Sequence, residues 1–144
     1  MTLEHIQIPR KITNRLLHLA QISPDLEVCG LIGSKNGLPS SCYPVRNSAE
    51  HPRQRFQLDA GQQISAMAKM RDKGEELFAI YHSHPTAPAT PSITDLELAS
   101  YPEALYLIIS LNTKGILEMR GFKIEHKSTQ EIALSLSEDK QFPD

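Results

Sequence analysis

The sequence predicts a single α/β domain built on a mixed sheet, and three observations point to it. Short apolar runs alternate with helical patterns along the chain, without internal repeat or linker. At 144 residues it is long enough to bury a core without disulfide staples. Its 40% hydrophobic and 22% charged residues are those of an ordinary globular protein. The domain is placed at residues 1–136, with a polar tail over 137–144.

The elements follow in order. Pro9, then Ile12, Leu16, Leu19 and Ala20, reads as an amphipathic helix with proline in its first turn, ended by Ser23-Pro24-Asp25. A buried strand over 26–33, a turn over 34–37 and a strand through Tyr43 and Val45 form a hairpin. Residues 46–55 are polar and aperiodic and read as a loop, with a short strand over 56–58. Asp59, with Gln62 three residues on, caps a helix whose apolar face is Ile64, Met67 and Ala68, and Gly74 ends it. Residues 77–81 form a strand that delivers His82 to its C-terminal end.

Pro85, Pro88 and Pro91 exclude regular structure from the next stretch, and a helix restarts near Ser92 or Thr94. Residues 105–111 and 115–124 read as strands around a turn at 112–115. From Glu125 onward a strand or a short helix completes the domain.

Bulk properties narrow the function classes. Net charge is −2 and the pI about 6.3, so no basic surface is advertised for nucleic acid. The start lacks a signal-peptide pattern and the longest apolar runs are too short to span a bilayer. A cytoplasmic protein with neither nucleic acid nor membrane as partner is the expectation. Cys29 and Cys42 are too few for a disulfide framework; a bridge between neighbouring strands is geometrically conceivable, but reduced thiols are expected.

The chemistry concentrates in His82-Ser83-His84-Pro85 and Ser92-Ile93-Thr94-Asp95. Strand alternation puts His82 and His84 on one face, where both can reach one metal. Asp95, one turn into the next helix, can swing back as a third ligand. The competing view is that the histidines are loop-edge residues and that Ser92 and Asp95 only cap a helix. Glu27 opens an otherwise apolar strand, where a carboxylate has no packing reason to be. Cys29 reads as packing rather than as a nucleophile. His5, His18, His51 and His126 lack ligand spacing. Arg46, Asn47, Arg53 and Arg55 read as a solvated loop, with a substrate groove as the alternative.

Glu27 with Cys29-Gly30-Leu31, then His82-Ser83-His84-Pro85, seven residues, Ser92, two residues and Asp95, resembles the JAMM motif of the JAB/MPN metalloprotease family. All five motif elements are present. The resemblance implies the JAB/MPN fold, a cytidine-deaminase-like curved mixed sheet flanked by helices. It implies that His82, His84 and Asp95 bind Zn²⁺ with a water in the fourth position. Glu27 would be the general acid/base, and Ser92 would hydrogen-bond the oxyanion, worth roughly 3 kcal/mol. Ser83 is expected to support the strand end.

The family cleaves peptide or isopeptide bonds after the C-terminal Gly-Gly of ubiquitin-like proteins. The short chain looks like the compact prokaryotic type, some of which process sulfur-carrier proteins and are often homodimers. Rival readings are a non-catalytic MPN scaffold, a DNA-repair relative, and a phage-tail or cell-wall peptidase. A zinc deaminase would need a Pro-Cys-x-x-Cys pair, which Cys29 and Cys42 do not form.

Overall fold

The computed structural model describes residues 5–111 and 117–138. Seven strands form one sheet in the order β1-β7-β6-β5-β4-β2-β3. They are β1 (His5–Pro9), β2 (Cys29–Lys35), β3 (Leu38–Val45), β4 (Glu76–His84), β5 (Leu105–Ser110), β6 (Glu118–Glu125) and β7 (Ser128–Ser137). The β1–β7 and β4–β5 pairs are parallel and the rest antiparallel. Helix α1 (Arg10–Gln21) covers one face; α2 (Ala60–Lys73) and the short α3 (Ile93–Leu98) lie on the other.

Two apolar layers hold these faces. Ile12, Leu16 and Ala20 of α1 pack with Tyr81, Leu107 and Ile109, whereas Ala66 and Met70 of α2 pack with Leu31, Ile80 and Ile108. Each large aliphatic side chain so buried contributes about 1.5–3 kcal/mol before entropy is counted. Every residue of β5 is buried, as expected of a central strand covered on both faces. Alternation along β4 sends Ala79 and Tyr81 toward α1 and Ile80 toward α2. His82 and His84 share the parity of Ile80 and so belong to the α2–α3 side. Gly30 pairs with Tyr81 across the ladder, and an added Cβ would lie 2.4 Å from the Tyr81 hydroxyl oxygen. Only glycine leaves room for that ring.

Several expectations are corrected. Strand β2 begins at Cys29 rather than at 26, because Glu27 gives its N–H to the Pro52 carbonyl instead of to a ladder. The strand expected at 56–58 shrinks to one bridge, Asn47 with Leu58. The apolar face of α2 is rotated: Ala66 and Met70 are buried while Ile64 is 69% exposed. Cys29 pairs with Val45 and Cys42 with Ile32, three rungs apart, and both thiols are free. At about 3.3 Å per rung that is too far for a bridge. Strand β1 has no counterpart in the sequence pattern, and the chain from Glu125 onward resolves into strand β7. The turn expected at 112–115 lies outside the described residues, as does most of the tail.

Glu75, at the entry to β4, is 7% exposed and receives the hydroxyls of Ser40, Ser41 and Tyr43 from β3. Burial alone would raise its pKa, but these donors hold it below the ordinary 4.5. A depressed carboxylate stabilises the fold above the unfolded value and loses that contribution as pH falls through the folded one. Glu75→Gln should therefore cost about 1.5–3 kcal/mol at neutral pH. In denaturant titrations the gap from wild type should close on acidification below the ordinary carboxylate value. A gap independent of pH would refute this role.

Candidate metal centre

The local backbone builds the site before any ion is considered. Strand β4 ends with His82 and His84 side by side, and parallel pairing sets His84 opposite Ser110 of β5. Beyond them the proline-rich connector is pinned. The Ser110 hydroxyl donates to the Ala87 carbonyl (2.7 Å), and Ala89 is fully buried. The chain then enters α3 through a reciprocal capping box. Asp95 N–H donates to Ser92 Oγ (3.0 Å), and Ser92 N–H donates to Asp95 Oδ2 (2.9 Å). Ser92 thus caps the helix, and the same cap directs the Asp95 carboxylate to the histidines.

The Nε2 atoms of His82 and His84 and the Oδ2 of Asp95 form a triangle 3.1 Å on each side. A tetrahedral zinc with bonds of about 2.0–2.1 Å sets its ligands roughly 3.3 Å apart. Three buried ligand atoms already spaced like one face of that tetrahedron fit such an ion. His84 Nδ1 donates to the Pro88 carbonyl (2.7 Å), which leaves Nε2 of the neutral ring as a lone pair aimed inward. Phe56 stacks on the His82 ring at 4.3 Å between centroids.

Electrostatics favour a cation at the centre of the triangle. Burial opposes ionisation of Asp95, yet the two imidazoles beside it and the hydrogen bond from Ser92 N–H hold it far below the usual carboxylate range. Burial would lower His84, but Asp95 and the Pro88 carbonyl raise it above an ordinary imidazole. His82, lowered chiefly by burial, stays neutral and suited to ligation.

Glu27 joins from a different direction. Its carboxylate lies no more than 4.8 Å from the other three ligand atoms, so Glu27, His82, His84 and Asp95 form one cluster, all buried. Glu27 Oε1 has no hydrogen-bond partner among the described residues. Burial pushes its pKa up to about 8, with His84 lowering and Asp95 raising it. Ser83 clasps the segment around it: Val28 N–H donates to Ser83 Oγ (2.9 Å), and the Ser83 hydroxyl donates to the Leu26 carbonyl (3.4 Å). The chain thus brings together residues separated by more than fifty positions, and Ser83 has the supporting role expected of it.

The sequence profile of the family described as prokaryotic homologs of the JAB domain matches residues 9–122. The chain belongs to that family. It is a metallopeptidase, in line with its relatives and with the metal-ligand cluster. This JAB-family chain is 36% identical over 89 residues to the desampylase of Haloferax volcanii, covering 60% of this chain and 64% of that protein. It is 32% identical over 123 residues to the CysO-cysteine peptidase of Mycobacterium tuberculosis, covering 84% and 83%. A solution structure of a protein from Desulfitobacterium hafniense superposes with a TM-score of 0.78 at 32% identity, covering 92% of this chain and 93% of that one. A JAB1/MPN domain protein from Archaeoglobus fulgidus shares the fold with a TM-score of 0.60 at 16% identity, covering 92% and 96%.

Some participants in this JAB centre carry no signature in the sequence. Phe56 and Ser110 belong to no spacing pattern, and both act through packing or a backbone carbonyl. Asn47 reads as part of a solvated loop, whereas its side chain is fully engaged.

Proposed function

We propose that this JAB-family enzyme uses zinc to hydrolyse the peptide or isopeptide bond after the C-terminal Gly-Gly of a ubiquitin-like protein of the sulfur-carrier kind. The observation that carries it is the 3.1 Å triangle of two imidazole nitrogens and a carboxylate oxygen, with a second carboxylate beside it. His82, His84 and Asp95 would hold the ion. Bound there, zinc supplies Lewis acidity, polarising the scissile carbonyl and acidifying the attacking water.

The side chains do the rest. Glu27 takes the proton from the attacking water and returns it to the leaving amine. A carboxylate whose own bias is toward keeping a proton is suited to both halves of that task. Ser92 uses its Oγ lone pairs for the helix cap and points its hydroxyl proton at the developing oxyanion. The substrate class rests on the relatives, one named a desampylase and another a CysO-cysteine peptidase. A diglycine tail suits this site because only glycine lets a backbone approach buried ligands closely.

A cavity of about 360 Å³ opens beside His82 and Asp95, walled by Phe56, Leu58, Leu98 and Tyr101, and can take an apolar residue of the same tail. No helix among the described residues is long and apolar enough to cross a membrane. The proposal includes a cytoplasmic enzyme, active as a monomer or homodimer, with residues 1–136 as its catalytic domain and no nucleic-acid partner.

The test is incubation with ubiquitin-like carriers ending in Gly-Gly, extended by a cysteine or joined to a lysine side chain, followed by intact-mass measurement. The extension should disappear, a chelator should stop the reaction, and added zinc should restore it. Unchanged masses for every carrier with zinc-loaded enzyme would refute the substrate class.

A further inference from the structure

Glu27 presents a problem of placement. It precedes β2, so no ladder fixes its backbone, and its carboxylate Oε1 has no partner among the described residues. Ser83 holds the residues on either side, Leu26 and Val28, but not the backbone groups of Glu27 itself.

The polar loop over 46–58 meets both backbone groups of Glu27. Glu27 N–H donates to the Pro52 carbonyl (2.7 Å), and the Glu27 carbonyl accepts from Asn47 Nδ2 (2.9 Å). The same Nδ2 donates to the Arg55 carbonyl (3.0 Å). Asn47 Oδ1 accepts from Ala49 N–H and Gln57 N–H, each at 3.0 Å. A side-chain amide has two donors and room for two acceptor contacts, and Asn47 uses them all. Three of these bonds fold the loop on itself and the fourth ties it to Glu27. The folded loop also carries Phe56, which stacks on His82.

We propose that Asn47 is the positioning residue of the proton-transfer step, clamping the backbone of Glu27 to the loop that packs against the ligand His82. This rests on the role given to Glu27 above. No other side-chain type provides both pairs of contacts in this space. Aspartate keeps the acceptors and loses the donors, and alanine loses everything.

The two variants separate positioning from general loosening. Asn47→Asp keeps the bonds to Ala49 and Gln57 and releases only the carbonyls of Glu27 and Arg55. Amide hydrogen exchange of the zinc-loaded protein should show Glu27 exchanging at least about tenfold faster in Asn47→Asp and Asn47→Ala, with His82 unchanged. The Ala49 and Gln57 amides should stay protected in the aspartate variant alone. On a carrier that the wild type cleaves, kcat should fall roughly 10–100-fold in both variants with KM and zinc content retained, the usual result of a reacting group displaced by about an ångström.

Wild-type exchange at Glu27, or wild-type kcat in Asn47→Asp, would overturn the proposal. So would loss of zinc in step with kcat, which would assign Asn47 to the metal site instead. The exchange experiment needs no substrate, so it tests the clamp even if the substrate class is wrong.

Discussion

Glu27→Gln should reduce turnover by about 10²–10⁴-fold while leaving metal occupancy at the wild-type level. The carboxamide occupies the same space but cannot take a proton from water. The pH profile supplies a second readout. Burial sets the carboxyl at about 8, and a divalent cation nearby pulls it down toward neutrality. Because the ionised form is the base, kcat/KM in the wild type should rise with pH through that value. The limb should vanish in the variant.

Stability offers a third readout, with the sign reversed from that of Glu75. A buried carboxyl raised above its ordinary 4.5 costs the metal-free fold stability at neutral pH, where the unfolded chain ionises freely. Glu27→Gln should therefore make the metal-free protein more resistant to denaturant at neutral pH and no more so in acid. Wild-type turnover in the variant would remove Glu27 from the mechanism.

His84→Ala should abolish metal retention. It removes one corner of the triangle and leaves Asp95 facing a single imidazole. Loss of an outer partner already weakens metal sites by about 10–100-fold, so loss of a ligand should exceed the upper end of that range. After dialysis against a weak chelator, elemental analysis should find near-stoichiometric zinc in the wild type and almost none in the variant. Full zinc in His84→Ala would show that the triangle is not the site.

The elements that could be read from the sequence are those whose local chemistry agrees with their tertiary role. Asp59 and Gly74 bracket α2 because capping and left-handed turns have residue preferences of their own. Asn36-Gly37 closes the β2–β3 hairpin for the same reason, both residues having positive φ. The second two-residue hairpin was illegible. His126 and Lys127 also take positive φ, but neither residue type announces it, so the segment after Glu125 stayed open between strand and helix. Strand β1 hid because only Ile8 of its five residues is buried. Ile64 misled because it is apolar yet sits one step off the buried stripe of α2.

The cluster divides along similar lines. His82, His84, Ser92 and Asp95 announce themselves because strand parity and helix capping are local geometry. Glu27 stood out as a charge in an apolar setting. Asn47 did not, since a loop asparagine has the same appearance whether it faces water or four backbone groups. Its contacts join residues up to twenty positions apart. No periodicity encodes such a clamp.

The capping box at Ser92 has a consequence for order. Helix α3 has six residues, far below the length at which a helix persists by itself in water. Its first turn is closed by the same Asp95 oxygen that faces both histidines. An ion held by that oxygen, as proposed, would therefore also brace the helix through its first turn. The folded turn and the triangle are one unit, so an ion bound there would add to the stability of α3, and unfolding of α3 would release it.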